Sequence, residues 1–108
     1  MTDPLDTFVL SLDRDEPPSF ATPMLRAIWH ALRGDWASGH ELAQAQDDPD
    51  GAWVHAWLHR VEGDLDNAEY WYRRAGRQAL SGDVRTEGLH IARALIHSSG
   101  DGDNTLHR

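Results

Sequence analysis

The chain has no cysteine, which excludes disulfide bridges and any thiolate metal site. It has no lysine either: all ten basic residues are arginine, against eighteen acidic ones, giving a net charge of −8. That sign repels a phosphate backbone, so no nucleic-acid partner is expected. No apolar run approaches membrane-spanning length. The opening MTDPLDTFVLSLDRDEPP lacks the basic lead of a signal peptide, so the expected location is the cytoplasm. No segment alternates apolar and polar residues with period two, and no strand is expected. Also missing are a glycine-rich phosphate loop, a G-x-S-x-G elbow and a dinucleotide fingerprint. With no set of nucleophile, base and stabiliser, no enzymatic activity and no cofactor are expected.

What remains is a series of helix signals. Asp3 precedes Pro4, and Leu5, Phe8, Val9 and Leu12 then share one stripe. The two prolines of RDEPPSFA break that helix. Thr22 and Pro23 start the next, Gly34 stops it, and Asp35 caps WASGHELAQAQ. Asp48 and Pro49 open a helix that ends at Gly63. Asp64 and Asp83 cap the two that follow. The spacing predicts an all-α fold of about six helices in one domain over residues 1–98. The glycine-rich SGDGDNTLHR should form a flexible polar tail, 99–108.

Aligning Gly34-Asp35 on Gly63-Asp64 pairs Ala27 with Ala56, His30 with His59, Ile28 with Trp57 and Leu42 with Trp71. The offset of 29 residues predicts two stacked antiparallel helical hairpins, flanked by an N-terminal and a C-terminal helix. The segment EGDLDNAEYWYRRA resembles the second half of a tetratricopeptide (TPR) repeat. It has Gly-Asp at the turn, then Ala68, Tyr72 and Ala75 at small–aromatic–small spacing. The likeness covers roughly residues 22–80, with a period shorter than the usual 34. The longer run AWVHAWLHRVEGDLDNAEYWYRRAG resembles the core of a family of small, functionally unassigned bacterial proteins. That second resemblance implies the architecture and no mechanism.

The helix after Asp48 is apolar nearly all round, so it should be central. The TPR likeness implies that the first helix of each hairpin lines a concave face. That would place Trp53, Trp57 and Arg60 there beside Ile28 and Met24, as a surface for a protein or peptide segment. The leading expectation is thus a small adaptor. The competing expectation for this face is that the N-terminal helix folds over it, because a helical stack needs capping. On Leu89, Ala92, Leu95 and Ile96 the last helix has an apolar face that completes the stack or forms a homodimer contact. Trp71, the counterpart of Leu42, should pack against a neighbouring hairpin.

His55 and His59 sit one turn apart, a spacing that can present two imidazoles to one metal. Two ligands do not hold zinc, and a third would have to come from His30, Glu62, Glu69 or His90. The alternative function is therefore a small-ligand or metal site around His30, His55 and His59. The expectation is nonetheless no metal, with both histidines as interhelical hydrogen bonders, since His30 recurs at the position of His59. Asp35, Ser38 and His40 lie close in sequence, but a helix does not arrange them as a catalytic triad. Pro49 and the missing downstream Glu spoil a calcium-loop reading of Asp47, Asp48 and Asp50.

Overall fold

A computed structural model describes the chain over residues 3–105, with side chains to residue 98. The fold is all-α: α1 (Pro4–Ser11), α2 (Pro23–Leu32), α3 (Trp36–Ala45), α4 (Pro49–Glu62), α5 (Leu65–Ala75) and α6 (Val84–Thr105). Among the described residues, no helix is long and apolar enough to cross a membrane. The α6 backbone stays helical past the expected domain boundary at residue 98; the side chains of the expected tail lie outside the described residues.

Each expected cap is made. The Asp3 carboxylate accepts from the Leu5 amide, Thr22 Oγ1 from Leu25, Asp35 from Ser38, Asp48 from Gly51, Asp64 from Asn67 and Asp83 from Thr86. These bonds satisfy amides that the first helical turn leaves without partners. The turns after α2 and α4 share one chain-reversing device. Gly34 and Gly63 take φ of 89° and 87°, and the amides of Asp35 and Asp64 then donate to the carbonyls of His30 and His59. Left-handed backbone of this kind favours glycine, and the back-bonded amide is a Schellman closure. It folds α2 onto α3 and α4 onto α5 as two hairpins.

The hairpins pack through α3 and α4. Within the first hairpin, a β-carbon at Gly39 would stand 2.6 Å from the Ala27 carbonyl oxygen, so only glycine permits this approach of α3 to α2. Helix α4 is central, with every residue from Gly51 to His59 buried. The Trp36 indole ties the hairpins together by donating to the Leu58 carbonyl at 2.6 Å.

The face expected to be concave is covered, and α6 covers it, packing on both α2 and α4. Met24 and Trp57 are buried at 2% and 1% exposure, and Ile28 and Trp53 are buried with them. Trp57 donates its indole hydrogen to the Val84 carbonyl at 2.7 Å, and its ring lies against Gly88, where a β-carbon would overlap Cζ2. The expected open groove on Met24, Ile28, Trp53, Trp57 and Arg60 is therefore corrected: the indoles are core. The N-terminal helix is not their lid. Instead α1 packs on α6, and its buried Ser11 hydroxyl accepts from the Trp29 indole at 3.0 Å. Closure uses residues of the α6 face named above as an alternative dimer contact, since Ala92 and Leu95 are buried within the fold.

Arg60 has a structural task. It donates to Glu87 at 2.5 Å and to the Gly82 carbonyl at 2.6 Å. Glu87 is 1% exposed and also accepts from the Tyr72 hydroxyl at 2.7 Å and the Leu80 amide at 3.3 Å. A buried carboxylate is tolerable only when satisfied in this way. Burial and the neighbouring Glu87 carboxylate raise the Tyr72 pKa, keeping the phenol a donor. This network fastens the 76–83 connection and α6 over the second hairpin.

Candidate metal centre

The opposite side of α4 carries His55 and His59, and helix geometry stacks their rings at 4.8 Å between centroids. The third imidazole comes from α3. His40 Nε2 lies 3.1 Å from His55 Nε2, and the His40 ring meets both α4 histidines edge-on. One donor atom from each of the three lies within 4.8 Å of the other two. His40 is half-buried, while His55 and His59 are buried.

Indoles hold two of these rings. Trp36 stacks on His40 with centroids 4.6 Å apart, and Trp71 stacks on His55 at 4.0 Å. Trp71 thus stacks within its own hairpin, and it lines a cleft with Ala43 and Gln44 of the first. The third ring is oriented by charge: His59 Nδ1 donates to Glu62 Oε2 at 2.8 Å. A carboxylate on Nδ1 orients the ring with Nε2 turned away from it, the arrangement that metal-ligating histidines commonly use.

No family model, curated protein or solved structure matches the chain. The chemistry of the donor set therefore decides what the centre can take. Burial, and after it the neighbouring His40 and His59, depress the His55 pKa to about 4. Burial and His59 also depress that of His40, with Glu62 opposing. A metal needs neutral imidazole, and both rings hold that form at neutral pH. Bonds of about 2.0–2.1 Å in a tetrahedral zinc site put two nitrogen ligands roughly 3.3 Å apart. The observed 3.1 Å between His40 and His55 is close to that edge.

His30 is absent from this cluster and stands edge-on to Trp29. Its correspondence with His59 lies in the main chain, where both carbonyls accept the reversing amide. The expected set of His30, His55 and His59 is thus corrected to His40, His55 and His59. His90 is also elsewhere, against Trp53, and Glu69 pairs with Arg73. Of the four third-ligand candidates only Glu62 is adjacent, and it touches His59 rather than completing the trio. The missed signal was Trp36, four residues before His40, which marks the α3 face that packs on α4.

The depressed values predict how the metal-free fold responds to acid. An imidazole whose folded pKa lies below its unfolded value of 6.5 binds fewer protons in the folded state. Its contribution is present above about pH 6.5 and is lost as the pH falls towards 4. In chelator, the melting temperature should start to fall below about 6.5, ahead of the carboxylate range. A melting temperature flat down to about pH 5 would show that these rings are solvated.

Proposed function

We propose that the protein is a small TPR-like hairpin scaffold that binds one transition-metal ion, of the zinc class, through His40, His55 and His59. The single observation that carries this reading is the approach of His40 Nε2 to His55 Nε2 at 3.1 Å, with a donor atom of His59 inside 4.8 Å of both. A hydrogen bond between two imidazoles explains a pair of rings. It leaves unexplained why a third is buried beside them and turned by a carboxylate. Imidazole donors suit zinc, copper, nickel and iron, and exclude calcium and magnesium, which take oxygen. An adaptor would need another surface, since Met24, Ile28, Trp53 and Trp57 are buried and Arg60 is engaged with Glu87. A protein partner would have to dock elsewhere.

The test is calorimetric titration of chelator-treated protein with Zn²⁺. One ion per chain is expected, with a rise in melting temperature that EDTA reverses. No binding heat and an unchanged melting temperature in excess Zn²⁺ would leave the histidines as packing groups.

A further inference from the structure

Three imidazoles leave a tetrahedral ion one ligand short, and the surroundings indicate what fills the gap. Two carboxylates lie nearby, and both have other tasks. Glu62 holds His59 Nδ1 at 2.8 Å. Asp64 caps α5, accepting from the Asn67 amide at 3.3 Å and its side-chain nitrogen at 3.4 Å. Structural zinc sites are closed by four protein ligands, whereas sites with three keep a position for water or an exogenous ligand.

The fold also leaves a way in. Helices α3 and α5 each pack on α4, yet their backbones do not approach one another among the described residues. The histidine face of α4 is thus the floor of a valley, with Trp36 and His40 on one wall and Trp71 on the other. Where the valley meets the start of α4 it widens into a cleft of about 480 Å³. His55 and Trp71 line it, with Gln44, Asp47 and Arg74 among its polar groups. Arg74 is the one cation among the described lining residues. Its guanidinium lies 5.2 Å from the Trp71 ring centre and donates to the Tyr70 hydroxyl at 3.1 Å. A fork held at the cleft wall suits a small anion; Asp47 and Asp48 also line the cleft, and a dication behind His55 together with Arg74 would offset their charge.

Building on the three-histidine metal reading, we infer that the bound ion keeps a fourth, exchangeable position open to this cleft, taken by water or a small anion such as a carboxylate. Arg74 positions the anion and does not touch the metal.

The experiment uses the full chain loaded with Co²⁺, whose visible spectrum reports coordination, titrated with azide and separately with acetate. A saturable spectral change with one anion per metal is expected from each. Arg74→Gln should weaken anion binding severalfold while leaving Co²⁺ affinity unchanged. A spectrum indifferent to both anions in a protein that binds Co²⁺ would overturn the inference and leave the metal reading standing. Anion sensitivity that appears only in Glu62→Gln would overturn it too, identifying Glu62 as the fourth ligand. An unchanged anion affinity in Arg74→Gln would remove the assigned role of the cleft. Failure to bind Co²⁺ at all would sink both readings.

Discussion

Replacing Trp57 with alanine is expected to cost about 3–5 kcal/mol, the usual range for emptying a buried tryptophan site. The indole is 1% exposed, packed on a glycine whose missing β-carbon makes room for it, and hydrogen-bonded to the first residue of α6. Truncation removes the ring that seats α6 and leaves the Val84 carbonyl without its donor. Gly88 has no side chain with which to fill the space. A domain of this size has about 5–15 kcal/mol of total stability, so the variant should be marginal. Urea unfolding followed by circular dichroism measures the loss. A cost below about 1 kcal/mol, with helicity retained, would show that the ring is a surface group. It would also reopen the recognition face on Trp53 and Trp57.

The contrast between that expected groove and the sealed core shows which parts of the structure were legible in the residues. Caps were legible because they are local: Asp35 and Ser38, or Asp83 and Thr86, need only their own turn. The central place of α4 was legible as well, because a helix apolar on all sides has nowhere else to go. Which helix would close the tryptophan face was not. Both α1 and α6 carry apolar stripes, and the choice falls to Gly88 and Glu87, whose partners Trp57 and Arg60 are remote in sequence. An acidic residue near a helix start ordinarily faces water, and its burial makes sense only with the Arg60 guanidinium and the Tyr72 hydroxyl in place. The histidine trio was half legible for the same reason. The α4 pair follows from helix periodicity, whereas His40 depends on how one hairpin lies against the next. Matching the two repeats led to His30 because the match reflects the shared turn, and a turn carries no information about side chains across a hairpin boundary.

His40→Ala should therefore separate the metal reading from simple packing. Removing an outer-shell partner of a metal ligand costs about 10–100-fold in affinity, so losing the ligand itself should cost roughly 100-fold or more. Truncating His40 also removes the partner of His55 Nε2, so the melting temperature of each metal-free variant is the baseline for its gain on Zn²⁺. His30→Ala is the matched control, because His30 stands against Trp29 and away from the cluster. Competition between each variant and a chromophoric chelator for Zn²⁺ gives the affinities directly. The same pair of variants also tests the coupling between hairpins. An ion held by α3 and α4 together stabilises the fold by about 2.7 kcal/mol when its free concentration is one hundred times the Kd. That gain should vanish in His40→Ala at the same Zn²⁺ concentration and persist in His30→Ala. Equal losses in the two variants would mean that the ion sits on surface groups. Unchanged affinity in His40→Ala would reduce the site to the α4 pair, and two imidazoles on one helix do not make a zinc centre.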